Sequence, residues 1–349
     1  MSGTVALRED QGTRVVELGE EETGSLVAIC PEVGANVFRF RTVVGARDVE
    51  ILAAPPDMAT LRARPTRWGT ACLFPYPGRV RAGSFAFDGQ IYQLTTDPRD
   101  GHAIHGCVRT RPWAIERLEA DRFSGAHARL HFDSRLAGIA AAEWPWAFSA
   151  WLDVGLSGGR LRLGFSVANE GDRPMPFGLG FHPYFPLPFG EAGSLGACTV
   201  WIDADERWEQ SGGLPTGAVA PVEEDAWPRR AHSLADIPAD VASGEGFVRN
   251  ALFRRHAHGR EASPGGMRAR IVDAMNRVAV RIESSVGFDR TVFFTPATTP
   301  TLSIEPQTCV PSALAMAGEG RSDTGLRVLA PGARWQAWFA IEAEALAAG

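Results

Sequence analysis

The sequence predicts an all-β protein built from large antiparallel sheets, and three observations lead to this fold class. Apolar and polar residues alternate along many segments, most clearly in 160–167, and this period of two places each residue type on one face of a strand. Tight-turn sequences separate several of these segments. The 38 Gly and 24 Pro are scattered throughout, so no long helical pattern survives. We therefore expect two packed antiparallel sheets with few, short helices.

The clearest local element is a hairpin formed by 84–87 and 90–94, joined by Asp88-Gly89. Asp-Gly supplies the positive φ values that a two-residue type I′ turn requires. Gly158-Gly159 predicts a second hairpin, between strands over 147–156 and 160–168.

Further alternating segments predict strands over 127–132 and 278–283. The best helical candidates are short, at 55–63 and 232–242, and the stretches 186–196 and 254–266 are typical of loops. The chain has 349 residues, with neither an internal repeat nor a low-complexity linker. We therefore interpret residues 1–349 as one domain.

Charge and composition exclude several classes of protein. A net charge of −6 argues against a nucleic-acid partner, which would usually need a basic face. No apolar run approaches the roughly 18–20 residues that cross a bilayer, and the N-terminal residues do not form a secretory signal. The five Cys are scattered, without CxxC spacing, which fits reduced thiols. We expect a cytoplasmic protein without nucleic-acid or membrane partners.

Three titratable residues, far apart in the chain, are the strongest functional signal: His105, His182 and Glu305. Each lies beside Gly, Pro or aromatic residues, whereas the remaining charge resembles an ordinary surface. Two imidazoles and one carboxylate are the groups that proton transfer near neutral pH requires. They form one site only if the fold brings distant strands together, and we expect that it does.

Each of these residues also has an ordinary structural interpretation. Glu305 follows a β-like run and precedes Pro306; desolvation would raise its pKa and make it a general base, but a surface carboxylate fits equally. His182, between glycines and aromatics, and His105, before Gly106, are candidate proton donors or ligands, or core histidines satisfied by backbone carbonyls.

A fourth candidate is Arg79, on a loop constrained by Pro and Gly in the segment 73–80. Its planar guanidinium would hold neighbouring hydroxyl groups, unless it is simply solvated. The chain lacks HExxH and any compact ligand cluster, and it has no GxGxxG or P-loop. We expect neither a metal nor a cofactor.

Taken together, these segments resemble the aldose 1-epimerase (galactose mutarotase) family over about residues 15–343. The motifs occur in the same order as in the family: FPYPGRVRAGSFAFDGQIYQL, HGCVRTRPW, FGLGFHPYFPLP, WIDADERWEQSGGLPTGAVAPV around Pro215, and SIEPQTCVPSAL. The resemblance implies a β-supersandwich fold and interconversion of the α- and β-anomers of a free monosaccharide.

The resemblance also implies a role for each candidate residue. Glu305 would remove the proton from the C1 hydroxyl, and His182 would protonate the ring oxygen. His105 and Arg79 would bind sugar oxygens. Where the family commonly has a sugar-binding Asp, the nearest residue here is Asn250, which leaves the identity of the sugar open. Monomer and homodimer both remain possible.

Two other functions remain open at this point. A hexose-6-phosphate 1-epimerase would use Arg109 and Arg111, which follow the His-Gly segment, to bind phosphate. A non-catalytic carbohydrate-binding protein would hold a sugar in the same cleft, although a pure binder needs no acid–base pair.

Overall fold

Two large antiparallel sheets, of twelve and nine strands, contain most of the strands of the described chain. The molecule is described from a computed structural model, which covers residues 2–121, 124–237, 247–256, 266–297 and 299–347. Two α-helices and three single 3₁₀ turns connect the strands within these ranges.

The strands of the described ranges, numbered along the chain, are β1 Gly3–Asp10, β2 Thr13–Glu20, β3 Ser25–Cys30, β4 Asn36–Val44, β5 Arg47–Glu50, β6 Thr70–Leu73, β7 Arg79–Val80, β8 Ser84–Phe87, β9 Gln90–Gln93, β10 Ala103–Ile104, β11 Ala114–Asp121, β12 Gly125–Asp133, β13 Phe148–Ser157, β14 Arg160–Asn169, β15 Met175–Phe177, β16 Gly180–Pro186, β17 Thr199–Ile202, β18 Glu206–Ser211, β19 Leu214–Pro221, β20 His232–Ser233, β21 Phe247–Arg254, β22 Arg268–Asp273, β23 Val278–Ser284, β24 Arg290–Pro296, β25 Thr301–Gln307, β26 Arg327–Leu329 and β27 Arg334–Ala345. The helices are α1 Met58–Ala63 and α2 Ala313–Gly318, and the 3₁₀ turns are Arg81–Gly83, Val108–Thr110 and Leu195–Ala197.

The strand order explains how residues distant in sequence become neighbours. The larger sheet runs β1-β2-β3-β4-β6-β16-β25-β24-β21-β18-β19, with β5 beside β4. The smaller sheet runs β11-β12-β13-β14-β27-β23-β22-β17-β20. The centre of the larger sheet therefore places β6, β16 and β25 side by side, and β7 pairs separately with β10.

The two sheets pack face to face around the main hydrophobic core. Phe181 of β16 and Phe339 of β27 lie 4.6 Å apart between ring centroids, joining the larger sheet to the smaller one. Both rings are fully buried, as are Leu302 and Ile304 of β25. Burial of these side chains, at about 25 cal/mol per Å² of apolar surface, is the main stabilising contribution.

The strands β16 and β25 are buried on both faces, which is unusual for an antiparallel sheet. In β25, Leu302 and Ile304 belong to the core, and the intervening Ser303 and Glu305 are also buried. Alternation therefore directs one face of β25 to the core and the other to a second buried environment.

The all-β prediction is confirmed, including both hairpins. Asp88 and Gly89 adopt φ values of 51° and 73°, as the turn between β8 and β9 requires. Gly158-Gly159 joins β13 to β14. The helix predicted at 55–63 is shorter, because Asp57 caps it: its side chain accepts a hydrogen bond from the Thr60 backbone N–H.

The helix predicted at 232–242 is wrong over its described part. His232 and Ser233 form β20, which pairs with β17 through Val200↔His232 and Thr199↔Ser233. Leu234 and Ile237 are then buried in the following turn, so tertiary packing overrides the local helical pattern. Residues 238–242 lie outside the described ranges.

Neither α-helix of the described chain exceeds six residues, and none is long and apolar enough to cross a bilayer. All five cysteines lie within the described ranges as buried thiols, and no disulfide joins them.

Candidate active site

A cavity of about 640 Å³ lies on the face of the larger sheet opposite the hydrophobic core. The five residues to which the resemblance gives a role all line it: Arg79, His105, His182, Asn250 and Glu305. The convergence expected from the sequence is therefore present in the fold.

The centre of the cavity is a contact between His182 and Glu305. The His182 Nε2 atom lies 3.3 Å from Glu305 Oε1, although more than a hundred residues separate the two in sequence. Neighbouring strands explain this, because β16 pairs with β25 and carries His182 on the same side as Glu305. The two side chains are 8% and 4% exposed, respectively, so the pair is almost excluded from bulk water.

Burial perturbs both members of the pair toward their neutral forms. Desolvation raises the pKa of Glu305 to about 8, against a weaker lowering by its hydrogen bond from Gln307. Desolvation, together with the positive charge of Arg67, lowers the pKa of His182 to about 3. The 3.3 Å contact is therefore an acid and a base that share one proton near neutral pH, rather than a fixed ion pair.

Two further side chains on β25 hold this pair, and the sequence analysis missed both. Ser303 Oγ lies 2.9 Å from His182 Nδ1, and Gln307 Nε2 donates to Glu305 Oε2 at 3.0 Å. Ser303, Glu305 and Gln307 follow the period of two. That alternation, applied to the strand around Glu305, would have identified them.

The aromatic wall of the site includes Tyr184, two residues after His182 on the same face of β16. Its ring stacks on His182 at 4.7 Å between centroids, and Phe294 meets the His182 ring edge-on at 6.2 Å. These rings supply the low-dielectric surroundings that keep the imidazole neutral.

His105 is held in a defined tautomer by the loop that carries Arg79. The Gly78 N–H donates to His105 Nδ1 at 3.2 Å, and the His105 N–H donates to the Gly78 carbonyl at 2.9 Å. Because Nδ1 accepts this bond, the ring proton resides on Nε2. Burial, together with the charges of His182, Arg109 and Arg79, lowers the pKa of His105 well below its usual value. His105 is thus a neutral hydrogen-bond donor.

Arg79 and Asn250 approach each other beside Gly213, which also lines the cavity. Arg79 Nε donates to Asp100 Oδ2 at 2.8 Å, which fixes the guanidinium. A Cβ added at Gly213 would lie 3.3 Å from Arg79 Nη1 and 3.9 Å from Asn250 Nδ2, so both side chains border this glycine. The Asn250 Nδ2 also lies 3.4 Å from Gln210 Oε1.

Arg109 lines the cavity, but Arg111 does not. Both Arg111 Nη2 hydrogen bonds go to Glu143, at 2.8 and 3.0 Å. Of the two arginines that the sequence suggested for phosphate binding, Arg109 therefore lies at the cavity and Arg111 is held in an ion pair outside it.

The cavity can supply an acid–base pair and several donors to a small hydroxylated molecule. Its volume lies within the range of small-molecule sites, roughly 300–1,000 Å³. The described part of the chain contains no group of three His, Cys, Asp or Glu side chains that could hold a metal ion.

Partial matches among curated proteins include two from Escherichia coli K12. The chain is 29% identical to the uncharacterized protein YphB over 137 residues, which cover 39% of this chain and 43% of YphB. It is 28% identical to the uncharacterized protein YihR over 166 residues, which cover 47% of this chain and 46% of YihR. The chain thus spans less than half the length of these relatives.

Solved structures match over the whole chain. A galactose mutarotase-like protein from Clostridium acetobutylicum has a TM-score of 0.83 and 23% identity, with 99% of each chain covered. Galactose 1-epimerase from Lactobacillus acidophilus NCFM has a TM-score of 0.72 and 16% identity, again with 99% of each chain covered. These similarities show the shared fold and confirm the β-supersandwich that the motifs implied.

The family model described as "Aldose 1-epimerase" matches residues 15–342, nearly the range over which the motifs resemble that family. The chain belongs to the aldose 1-epimerase family.

Proposed function

We propose that this protein is an aldose 1-epimerase, which interconverts the α- and β-anomers of a monosaccharide through its open-chain form. The observation that carries the proposal is the buried His182–Glu305 contact at 3.3 Å in a sugar-sized cavity. Membership of the family supports the same reaction class.

Ring opening requires one proton to leave the C1 hydroxyl and another to reach the ring oxygen. Glu305, as carboxylate, takes the proton of the C1 hydroxyl, while His182, as imidazolium, donates its Nε2 proton to the ring oxygen. The bond from C1 to the ring oxygen breaks, and C1 becomes an aldehyde carbon. Each such proton transfer is typically worth about 10²–10⁴ in rate.

Ring closure reverses these transfers on the other face of C1. After rotation about the C1–C2 bond, the C5 hydroxyl attacks the aldehyde and returns its proton to His182. Glu305 then returns its proton to the C1 oxygen. The pair ends with the one proton it began with, so the site needs no external acid or base.

A bound sugar favours the charged arrangement of the pair. Its C1 hydroxyl donates to the Glu305 carboxylate, and its ring oxygen accepts from His182, so that hydrogen bonds replace the lost hydration. His105 Nε2–H and the Arg79 guanidinium donate to sugar oxygens, and the Asn250 amide both donates and accepts. His105 is assigned to binding because its Nδ1 is already an acceptor of the Gly78 N–H.

We place the reaction in the cytoplasm, with a monosaccharide as substrate. The five buried thiols support a reducing compartment. The choice between monomer and homodimer is decided by light scattering of the purified protein.

The function is tested by following the optical rotation of freshly dissolved α-glucose and α-galactose. The wild type is expected to accelerate the change, and Glu305→Gln to lower kcat about 10²–10⁴-fold because it cannot accept a proton. Glu9→Gln, which removes an exposed carboxylate in β1, is the matched control and should match wild type.

Equal rates for the wild type and Glu305→Gln would remove Glu305 from the mechanism. Tight sugar binding by calorimetry without any acceleration of anomer exchange would instead identify a binding protein.

A further inference from the structure

The cavity is rich in arginine although the whole chain is acidic. Five arginines line it, namely Arg64, Arg67, Arg79, Arg99 and Arg109, against three carboxylates, Asp97, Asp100 and Glu305. The chain as a whole carries a net charge of −6. Arg67, Arg79 and Arg109 are half-buried, and charged groups are costly to place in such partly desolvated surroundings, so these arginines are a specific feature of the site.

Two of these arginines are paired with two of the carboxylates. Arg79 Nε donates to Asp100 Oδ2 at 2.8 Å, and Arg99 Nε donates to Asp97 Oδ1 at 3.0 Å. Within the described ranges, no carboxylate forms an ion pair with Arg64, Arg67 or Arg109. The buried Nε of Arg109 also has no hydrogen-bond partner there.

Arg67 lines the cavity near His182, the residue to which the proposed function assigns protonation of the sugar ring oxygen. It belongs to the segment 63–67, whose five residues all line the cavity. Two residues later, the Gly69 carbonyl accepts the Tyr184 backbone N–H at 2.8 Å, and Tyr184 stacks on His182. The positive charge of Arg67 accordingly acts on both side chains: it lowers the pKa of His182 and opposes the rise that burial causes in the pKa of Tyr184.

We propose that Arg67, with Arg64 beside it, binds an anionic group on C6 of the substrate, which is therefore a sugar acid or a sugar phosphate rather than a neutral aldose. The proposal rests on the proposed function, which places the ring oxygen at His182. C5 is bonded to the ring oxygen and carries C6, so a C6 substituent extends from the His182 end of the site. A carboxylate or phosphate there meets guanidinium groups that form no ion pair with the described part of the chain.

A neutral sugar would leave this arrangement unexplained. Hydroxyl groups satisfy guanidinium donors but not their charge, and the charge of Arg67 opposes the imidazolium form of His182 that ring opening uses. An anion beside Arg67 neutralises that charge and removes the opposition. The same residue thus selects the substrate and permits the proton transfer once the substrate is bound.

The test compares anomer exchange of glucose, glucuronate and glucose 6-phosphate by NMR exchange spectroscopy. We expect kcat/KM for at least one anionic sugar to exceed that for glucose, and the better anion identifies the group. Arg67→Met should reduce this preference about 10- to 100-fold, because charge-assisted hydrogen bonds are lost.

Arg62→Met is the matched control, since it removes the same charge from the residue just before the segment 63–67. Arg62 Nη2 donates to Thr13 Oγ1 at 2.8 Å and does not line the cavity. This variant should keep the wild-type preference.

Equal kcat/KM for glucose and both anions, or a uniform loss on all three sugars in Arg67→Met, would overturn the anion site while leaving the epimerase function intact. If no sugar is turned over, the proposed function fails, and calorimetric binding of the same sugars decides the anion site: Arg67-dependent preference for an anion supports it, and its absence refutes it.

Discussion

Ser303 contacts the side of the His182 ring that faces away from Glu305. Because the shared proton lies between Glu305 and Nε2, Nδ1 carries the other ring hydrogen and donates it to Ser303 Oγ whether the imidazole is neutral or charged. The contact at 2.9 Å can therefore persist through proton transfer. Ser303 is a positioning residue, since it acts on the sugar through His182.

Replacing Ser303 by Ala should lower kcat about 3- to 10-fold with little change in KM, which is the effect of one lost hydrogen bond of about 1 kcal/mol. Steady-state kinetics from optical rotation measure the two constants. Ser149→Ala removes another buried hydroxyl, from β13 of the other sheet, and should leave both constants unchanged. An equal effect of the two substitutions would assign Ser303 a purely structural role.

Gln307 affects the same reaction through its hydrogen bond to Glu305. Its Nε2–H donates to Glu305 Oε2 at 3.0 Å, and this bond lowers the pKa of a carboxyl that burial has raised to about 8. The reactive pair holds one proton, so kcat/KM should fall as the pH rises through that value.

Gln307→Met should move this alkaline limb to higher pH, because the carboxylate loses a donor and its pKa rises further. The measurement is kcat/KM from pH 6 to pH 10, corrected for the uncatalysed reaction. Gln336→Met, at an exposed position of β27, serves as control. A limb that moves to lower pH, or a rate that increases through pH 8, would contradict the shared-proton state.

Site residues that lie in unusual sequence motifs could be identified from the sequence, whereas Arg67, which lies in no such motif, was missed. Glu305 and His182 lie in motifs of Gly, Pro and aromatic residues. Arg67 is one of three arginines in 62–67, and only the fold shows that Arg62 pairs with Glu32 while Arg67 lines the cavity. The local sequence pattern does not show which of these arginines line the cavity.

At the scale of elements, the loop bearing His105 depends on a close backbone approach. His105 and Gly106 have φ values of 61° and 65°, which is left-handed backbone that favours glycine. A Cβ at Gly106 would lie 2.1 Å from the Phe74 carbonyl oxygen. The same carbonyl accepts the Cys107 N–H at 3.0 Å, so the loop cannot move away without losing that bond.

Gly106→Ala should therefore destabilise the protein far more than Gly89→Ala. Gly89 has a similar φ of 73°, but an added Cβ there meets nothing within 4 Å, leaving only a conformational cost of roughly 1–2 kcal/mol. Thermal denaturation measures both variants, and kcat/KM reports whether His105 stays in place. Equal losses in Tm would show that backbone conformation, and not the contact with Phe74, fixes the loop.

The strands also show where the local sequence pattern is not enough to predict secondary structure. Period-two alternation and Asp-Gly or Gly-Gly turns predicted β8, β9, β13 and β14, because their pairing is between neighbours in sequence. The strand β20 pairs with β17, about thirty residues earlier, and its two residues are too few to show a period. Long-range pairing decides such short strands.

At the scale of the whole molecule, the site occupies one face of a sheet whose other face is the core. Ile304 packs inside while Glu305, the next residue, is buried beneath the cavity. A rigid two-sheet scaffold can hold the acid–base pair at 3.3 Å, but it does so by desolvating a carboxyl group. The reactivity of Glu305 and a loss of folding stability at alkaline pH thus have one origin.

Glu305→Gln should therefore stabilise the fold, and increasingly so as the pH rises. The pKa of Glu305 is about 8 in the folded protein against an ordinary 4.5. Between these values the folded chain retains a proton that the unfolded chain has released, so wild-type stability falls with rising pH. The variant lacks this titration, while His182, which titrates in the opposite sense, is present in both proteins.

The difference in unfolding free energy between Glu305→Gln and wild type should grow from near zero at pH 4.5 to on the order of a few kcal/mol at pH 9, since each pKa unit corresponds to about 1.4 kcal/mol. Urea denaturation at a series of pH values measures this difference. Glu9→Gln changes an exposed carboxyl group and should show no such trend. A difference that stays constant with pH would mean that the fold leaves Glu305 hydrated, and the shared proton would then have no physical basis.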